Sequence, residues 1–291
     1  MGWLQAGDFG EVRPVSGEAP ATREIYGQPR KRARALAPFL PSGYVIFTMN
    51  PLDNVKVVLV EPAVPGNIGA SARVLKNTGI SRLALVNPGA WDTPEARWLA
   101  HGSEEILDRC EIHPDLPSAL ADAQLVVGTT HRVGRLRQVN SSPRSAIAQL
   151  AAQAHHHRIA VVFGREKDGL WRSELQHCHQ LIRFPSAVAH PSLNLSHAVL
   201  LFTYELFTEL RTTRPAPRRD LATAAERDHL HLHLSLVLGR IGFKPFNDDP
   251  ANFSRVLHRF LNRSQIERLD ALVIHKICSQ IEKFAAQGTP S

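Results

Sequence analysis

The chain has few cysteines and no long apolar run, and both absences exclude classes of protein. Only three cysteines occur among 291 residues, Cys110, Cys178 and Cys278, and none forms a CxxC pair. An odd number of widely separated thiols indicates neither a disulfide framework nor a zinc ribbon. No apolar run approaches the ~18 residues that a membrane span requires, and the N-terminus lacks the apolar core of a secretory signal. We therefore expect a soluble protein of the reducing cytoplasm.

Two nucleotide-binding motifs are also missing. The apolar run VKVVLV (Val55–Val60) is followed by PGNIGASAR, whose glycines, Gly66 and Gly69, do not form GxGxxG. The second expected strand ends at Val86, and no carboxylate follows it to hold a ribose. A dinucleotide-binding turn needs both features. No GxxxxGK[ST] sequence occurs, which excludes a Walker-type phosphate loop.

Basic residues exceed acidic residues, with 34 Lys and Arg against 27 Asp and Glu, a formal net charge of +7 and a pI near 9.7. This excess suits an anionic partner such as RNA or DNA, but charge alone does not select one. Histidines stand in the groups HHH at 155–157 and HCH at 177–179, and at His229, His231 and His233. None is joined by a convincing set of metal ligands, so we expect these histidines on surface loops and a solvent-facing helix, with no metal site.

Residues 1–48 mix Gly, Pro and charged residues without a sustained hydrophobic period, so little packed structure is expected there. The cluster PRKRARA (Pro29–Ala35) is typical of a transit peptide, whereas the acidic residues of the segment count against one. Met49 directly precedes the first strong strand, so a natural start at Met49 is a further alternative.

Residues 49–213 are predicted to form an α/β domain, because short β-branched runs alternate with helical stretches from Asn54 to Arg214. This alternation is typical of a parallel sheet with crossover helices. Strands are predicted at 55–60, 82–86, 123–129, 158–164 and 180–184. Helices are predicted at 67–77, 94–108, 117–123, 143–155 and 194–211.

A linker with two prolines, TTRPAPRRD (Thr212–Asp220), leads into a C-terminal helical extension, residues 214–291. Three helices are predicted there, at 221–241, 252–262 and 264–286. The last carries apolar residues at steps of three and four, namely Ile266, Leu269, Val273, Ile277, Ile281 and Phe284. Such a stripe is expected to be buried against the main domain or a second subunit.

The first helix carries the first candidate site. Arg73 lies one turn beyond Gly69 and Ala70, and helical side chains lean toward the N-terminus. Its guanidinium is therefore expected near the helix entrance, where free amides and the helix dipole attract anions. Asn67 is predicted to be the N-cap of this helix. A surface ion pair of Arg73 is the alternative interpretation.

The second candidate is the sequence VVFGREKDGL (Val161–Leu170) at the end of a strand. Gly164 is expected to let the backbone approach a ligand closely. Arg165 and Glu166 are expected to project from the carboxyl edge of the sheet, where open α/β folds bind ligands. A plain loop between strand and helix is the alternative.

The third candidate is the sequence HPSLNLSHAVLLFTYEL (His190–Leu206), which opens the last helix of the domain. Ser192 or Asn194 is predicted to cap this helix, and capping alone is the simplest interpretation of both residues.

Together, NxGxxxR, FGxExxGL and SLNLS resemble, in order and spacing, the three motifs of the SPOUT superfamily of RNA methyltransferases. Within it the chain is similar to the TrmH-like 2′-O-ribose methyltransferases, and more narrowly to the TrmJ type, which modifies the anticodon loop of tRNA. The resemblance extends into the C-terminal region, where IGFKP and RVLHRFLNRSQIERLD are also similar to that type.

The resemblance implies a C-terminal trefoil knot, a homodimer, the cofactor S-adenosylmethionine, no metal, and a tRNA substrate with cytidine or uridine at nucleotide 32. The residues that it implies for the cofactor are Thr129, Thr130, His131, Gly164, Phe184, Pro191, Ser192 and Leu193. The residues that it implies for catalysis are Arg73, Asn67, Glu166, Ser192 and Asn194. Arg73 is expected to clamp the substrate phosphate and help the hydroxyl to lose its proton, with the small residues of the first helix giving clearance for RNA.

Three alternatives remain open. The first is an enzyme of the same branch that acts on another position of tRNA or on ribosomal RNA. The second is a catalytically silent RNA-binding protein with the same fold. The presence of Asn67, Arg73, Glu166 and Asn194 argues against the silent protein, because binding alone does not need that set. An NAD-dependent oxidoreductase is disfavoured by the missing glycine fingerprint.

Overall fold

The computed structural model describes residues 50–131, 139–140, 143–188, 193–245 and 248–287. The strands are β1 (Val55–Val60), β2 (Arg82–Val86), β3 (Glu111–His113), β4 (Leu125–Thr129), β5 (Val139–Asn140), β6 (Ile159–Phe163) and β7 (Gln180–Ile182). Within the described residues they form one seven-stranded sheet in the order β3-β2-β1-β6-β4-β7-β5, and every pairing is parallel. The predicted α/β class with a parallel sheet is therefore confirmed.

The helices alternate with these strands and then continue alone to the C-terminal region. They are α1 (Pro65–Thr78), α2 (Pro94–Leu99), α3 (Glu104–Asp108), α4 (Leu116–Leu120), α5 (Pro143–Ala154), α6 (Arg172–Leu175), α7 (Leu195–Leu210), α8 (Ala224–Arg240), α9 (Pro250–Arg263) and α10 (Arg268–Gln287), with a short 3₁₀ helix at Pro51–Asn54. Among the residues that the structure describes, no helix is both long and apolar enough to cross a membrane.

One predicted helix is wrong. The helix predicted over 94–108 is two helices, α2 and α3, because the chain turns through Gly102, whose φ is +73°. Glycine adopts this left-handed conformation without the steric penalty of a Cβ. The short elements β3, β5 and α6 were not predicted, since two to four residues carry too little of a periodic pattern. The trefoil knot and the division of the chain at residues 48 and 213 stay predictions.

Side chains of successive residues on β1 enter two different core layers, one on each face of the sheet. Val57 and Leu59 belong to the layer that contains residues of α1, α5 and α7, whereas Val58 and Val60 belong to the layer of α4. Side chains alternate between faces along a strand. A strand that is buried on both faces is therefore largely apolar, which explains VKVVLV apart from Lys56 at its amino end.

At the amino ends of the strands, basic and acidic side chains form a cluster of ion pairs. Nζ of the buried Lys56 lies 2.8 Å from Asp122 Oδ1 and 3.2 Å from Glu111 Oε2, and Arg82 contacts the same two carboxylates. Burial raises the pKa of Asp122, but the hydrogen bonds from Lys56 and Arg82 outweigh that effect and lower it to about 2. This edge of the sheet is thus a structural ion network whose charges neutralise one another.

The helical extension is attached to the sheet through a buried arginine. Arg227, on α8, is 1% exposed, and its Nε donates to Asn262 Oδ1 at 3.0 Å. Its Nη1 donates to the carbonyl oxygen of Gln124, at the start of β4, and to that of Ala222. Burial lowers the pKa of Arg227 to about 10, so the guanidinium stays charged at neutral pH and needs these acceptors.

The apolar stripe predicted on the last helix is exposed in large part. Ile266 is buried, but Leu269 is 73% exposed and Phe284 is 79% exposed, and Val273 and Ile277 are also exposed. The helix instead packs through a different face, which includes Ala271. Burial of the whole stripe against the main domain is therefore wrong, and burial against a second subunit stays a prediction.

The two glycines of α1 allow α2 to pack closely. A Cβ at Gly69 would lie 1.9 Å from the carbonyl oxygen of Ala96, and one at Gly66 would lie 2.5 Å from Glu95 Oε1. Such distances are far inside van der Waals contact. The expectation that these glycines give clearance for RNA is wrong, because α2 occupies the space beside them.

We expect Gly69→Ala to lower the free energy of unfolding by about 1–2 kcal/mol. The added methyl gains about 1 kcal/mol of helix propensity, but overpacking against a backbone oxygen costs about 1–3 kcal/mol or more. Gly89→Ala is the matched control, since nothing lies within 4 Å of its added Cβ, and it should change stability by less than ~0.5 kcal/mol. Urea unfolding of both variants measures the difference, and equal stability would contradict this packing account.

Candidate functional site

A pocket of about 390 Å³ lies at the carboxyl ends of β4, β6 and β7, beside the first turns of α7. Six residues predicted to bind a cofactor line it: Thr129, Thr130, His131, Gly164, Phe184 and Leu193. The other two, Pro191 and Ser192, lie outside the described residues. The carboxyl ends of parallel strands are the usual ligand-binding edge of open α/β folds.

Part of this pocket is formed by residues that were not predicted from the sequence. The loop that follows β6 lines it over its whole length, residues 164–170, and one face of α7 lines it through Leu195, Ala198 and Leu201. The α7 residues are three positions apart, so the helical period on the pocket side is a signal that could have found them.

Arg165 holds the loop after β6 in place. Its Nε donates to Glu61 Oε2 at 2.8 Å, and its two Nη atoms donate to the carboxylate of Glu174 at 3.0 and 3.1 Å. The guanidinium also lies 3.5 Å from the centroid of the Trp171 ring. Arg165 lines the pocket, but its side chain is only 10% exposed and its donors already have partners. The arginine therefore positions the loop, which sequence reasoning did not assign to it.

Gly164 is required by the loop itself. A Cβ on this residue would lie 2.1 Å from the carbonyl carbon of Gly169 and 2.3 Å from the amide nitrogen of Leu170. The loop folds back on its own start, where Gly169 donates its N–H to the carbonyl oxygen of Arg165 at 2.8 Å. The backbone that approaches Gly164 closely is thus that of the loop, and the resulting turn forms one wall of the pocket.

One chain of hydrogen bonds joins the three candidate motifs. Asn67 Nδ2 donates to Glu166 Oε1 at 2.9 Å, and Asn194 Nδ2 donates to Asn67 Oδ1 at 2.8 Å. Glu166 Oε2 also accepts the backbone N–H of Ala63 at 3.0 Å. These bonds connect Asn67 with Glu166, 99 positions away in the chain, and with Asn194, 127 positions away. They lie at the edge of the pocket, which Glu166 lines.

The predicted cap of α1 is wrong. The helix begins at Pro65 with Val64 as the N-cap, and Asn67 lies inside its first turn with 8% of its surface exposed. Glu166 accepts the N–H groups of Ala63 and Val64, which precede the helix, and this leaves the Asn67 amide to bridge the two other motifs.

The predicted cap of α7 by Asn194 is confirmed. Asn194 Oδ1 accepts the backbone N–H of Ser196 at 2.9 Å and the Ser196 hydroxyl at 2.7 Å. The two ends of the Asn194 amide therefore have separate tasks, since the oxygen caps α7 while the nitrogen binds Asn67. Capping and the connection of motifs are thus compatible in one side chain.

Glu166 is a carboxylate at neutral pH. Burial raises its pKa, but hydrogen bonds from the Ala63 amide, from Asn67 and from the Val64 amide outweigh this effect, so the net pKa lies below its usual value. An ionised carboxylate only accepts hydrogen bonds, and here it accepts three. Its contacts fit a positioning group and not a proton donor.

Arg73 is exposed on α1, six positions beyond Asn67. It forms no hydrogen bond or ion pair with any residue that the structure describes, whereas Lys76 on the same helix pairs with Glu105. The alternative of a surface ion pair is therefore not seen for Arg73 among these residues. A guanidinium with five unused donors is suited to an anionic ligand.

Several histidines expected at the surface are buried or in contact. His157 is 2% exposed, and the Nδ1 atom of His179 accepts the N–H of Val126 at 3.0 Å. On α8, His231 lies 3.0 Å from the carbonyl oxygen of Ser254. Residues two apart on a helix point in directions about 200° apart, so His229, His231 and His233 do not share one solvent face.

The chain is similar to proteins of one methylase family in both sequence and structure. The SpoU rRNA Methylase family model matches residues 54–204. The tRNA (cytidine/uridine-2′-O-)-methyltransferase TrmJ of Photorhabdus laumondii is 33% identical over 239 residues, which cover 80% of this chain and 99% of that protein. The tRNA (cytidine/uridine/adenosine-2′-O-)-methyltransferase TrmJ of Pseudomonas aeruginosa is 34% identical over 247 residues, covering 80% and 96%. The crystal structure of TrmJ from Z. mobilis is similar with a TM-score of 0.69 at 25% identity, covering 78% of this chain and 98% of that one.

The lowered pKa of Glu166 predicts an acid-dependent loss of stability. Because the folded-state pKa lies below the unfolded value of about 4.3, the ionised group stabilises the fold above that pH. This contribution is lost as the pH falls through the folded pKa. The difference in unfolding free energy between the native protein and Glu166→Gln should therefore be largest near pH 6–7 and shrink below about pH 4. Urea unfolding across this range measures it, and a difference that grows with acid would contradict the assignment.

Proposed function

Because the chain belongs to the SpoU rRNA methylase family, we propose that it transfers a methyl group from S-adenosylmethionine to a ribose 2′-hydroxyl of tRNA. We propose cytidine or uridine at nucleotide 32 of the anticodon loop as the target. The activity printed for relatives that are 33–34% identical over 80% of the chain supports this choice. The observation that carries the proposal is the hydrogen-bond chain of Glu166, Asn67 and Asn194 beside the pocket.

The pocket suits a nucleoside-sized cofactor. Its volume of about 390 Å³ falls in the range of small-molecule sites. Phe184, Leu193 and Leu195 supply apolar lining, while Thr129 and the loop after β6 supply polar groups. We assign cofactor binding to Thr129, Thr130, His131, Gly164, Phe184, Pro191, Ser192 and Leu193. When bound, S-adenosylmethionine supplies a methyl group activated by its sulfonium.

The chemistry requires alignment more than acid–base catalysis. In-line transfer to a 2′-oxygen proceeds when the oxygen, methyl carbon and sulfur are collinear, and holding this geometry supplies a large part of the rate. The bonds of Glu166 with Asn67 and of Asn67 with Asn194 fix the start of α1 against the pocket loop and α7. With Ser192, these residues are the catalytic group that we propose around Arg73.

We propose that Arg73 binds the substrate phosphate and stabilises the reacting 2′-oxygen. A guanidinium stays protonated in proteins and is a poor base, but it binds phosphate with two parallel hydrogen bonds. It also stabilises negative charge as the hydroxyl proton departs. The exposed position and unused donors of Arg73 on α1 support this role.

We further propose that two copies of the chain associate in the cytoplasm. The exposed apolar side chains of α10, such as Leu269 and Phe284, would be covered by a partner surface. The three cysteines are free thiols, as a reducing compartment requires. We keep 1–48, 49–213 and 214–291 as the proposed division into N-terminal extension, methylase domain and helical extension.

The proposal is tested with purified protein, labelled S-adenosylmethionine and unmodified tRNA. We expect one ribose methylation in the anticodon loop, mapped by mass spectrometry of nuclease fragments. Arg73→Ala should reduce the rate of transfer by about 10²–10³-fold, the usual effect of removing one group that stabilises transition-state charge. Cofactor affinity should change by less than about twofold.

Lys76→Ala is the matched control for this variant. It also removes one positive charge from the exposed side of α1, but Lys76 is paired with Glu105 and should leave transfer unchanged. Loss of cofactor binding in Arg73→Ala would show that the arginine is placed wrongly. If the native protein binds the cofactor and methylates no tRNA or ribosomal RNA, the chain is a silent RNA-binding protein.

A further inference from the structure

Three side chains of the types that coordinate metals, two histidines and an aspartate, converge outside the pocket. The ligand atoms of His177, Asp228 and His258 all lie within 4.8 Å of one another. His177 follows α6, whereas Asp228 lies on α8 and His258 on α9. The group therefore joins the segment behind the pocket loop to two helices of the C-terminal extension. The three residues are far apart in sequence, so their approach is a product of the fold.

The group is sheltered and closely spaced. His258 is 7% exposed, and its Nε2 lies 2.7 Å from Asp228 Oδ1. The rings of His177 and His258 are 4.9 Å apart between centroids, and the ring of His231 lies 4.8 Å from that of His258 on another side. Asn262 Nδ2 lies 3.1 Å from His258 Nε2 and donates to the carbonyl oxygen of Gln176 at 3.3 Å.

Two imidazoles and a carboxylate form a ligand set for a divalent first-row metal. Zinc takes nitrogen ligands at about 2.0–2.1 Å and carboxylate oxygens at about 2.0–2.2 Å, in tetrahedral geometry. Donor atoms around such an ion are separated by roughly 3.4 Å, as bond lengths near 2.1 Å require. The present separations of the ligand atoms, from 2.7 Å to at most 4.8 Å, bracket that value.

We propose that His177, Asp228 and His258 bind a zinc ion that fastens the helical extension to the methylase domain. A metal held by ligands from three segments binds only the folded chain, and its binding free energy therefore adds to the stability of the fold. Three protein ligands leave a fourth position for water. The hydrogen bond between Asp228 and His258 is the metal-free state of the same group.

The site also adjoins the support of the pocket. Glu174, which holds Arg165 of the pocket loop, lies three residues before His177. A zinc ion at His177 would thus restrict the segment that carries both residues. Zinc binding is measured without methyl transfer, and none of the three ligands lines the pocket.

The test uses the full-length chain stripped of metal with a chelator and titrated with Zn²⁺ in a calorimeter. We expect one Zn²⁺ per chain and a rise of several degrees in Tm on saturation. Co²⁺ in its place should give the visible absorption of a tetrahedral ion. His177→Gln and Asp228→Asn should each lose this equivalent and the rise in Tm.

His156→Gln is the matched control, because His156 is an exposed histidine outside the group, and it should bind zinc as the native chain does. Circular dichroism checks that each variant is folded. If Asp228→Asn does not fold, the zinc binding of His177→Gln decides the test. Absence of binding at about 10 µM Zn²⁺, or undiminished binding by a folded His177→Gln, would overturn the proposal. Because the readouts are stoichiometry and Tm, the result does not depend on methyl transfer.

Discussion

The hydrogen bonds from Asn194 to Asn67 and from Asn67 to Glu166 are the contacts on which the candidate site depends. They connect α1, the loop after β6 and the start of α7, three segments that are separate in the sequence and meet at the edge of the pocket. Each group has a defined direction, since the two amides donate in sequence toward an ionised carboxylate. If Asn67 were removed, the half-buried carboxylate of Glu166 and the exposed amide of Asn194 would each lose a hydrogen bond. Leaving a buried polar group without a partner costs about 1–3 kcal/mol, so the larger part of the loss falls on Glu166.

The two edges of the sheet use charge in different ways. At the amino edge, Lys56 and Arg82 are paired with Glu111 and Asp122, so the charges are satisfied within the protein. Near the carboxyl edge, Arg165 is likewise committed to Glu61 and Glu174 and shapes the pocket. Arg73 differs from these buried cations because it is exposed and unpaired among the described residues. An anionic substrate would supply the partner that the protein does not.

The periodic parts of the fold were predictable from sequence, and the long-range contacts were not. Strands β1 and β2 have the predicted bounds, because apolar runs buried on both faces give a strong signal. Asn194 was correctly placed as a cap, since capping is a local interaction. The contacts of Asn67 were not predicted because its partners, Glu166 and Asn194, lie 99 and 127 residues away in the chain. Sequence spacing alone does not show which of several distant motifs will meet.

The glycines and histidines illustrate the same limit. Gly66 and Gly69 were expected to face RNA, but their lack of a Cβ serves the packing of α2. No metal was expected because the histidines are scattered along the chain, whereas the packing of α8 and α9 brings His258 close to Asp228 and His177. In both cases the neighbours of these residues are set by the fold, and the local sequence does not identify them.

The most direct test of the account is the rate of labelled methyl transfer from S-adenosylmethionine to unmodified tRNA by Asn67→Ala under single-turnover conditions. The variant leaves Arg73 and the pocket residues chemically unchanged and removes only the bridge between the motifs. We expect a folded protein whose transfer is at least ~10-fold slower, the equivalent of about 1.4 kcal/mol of lost positioning. Transfer at the native rate by folded Asn67→Ala would contradict the claim that this hydrogen-bond chain organises the active site.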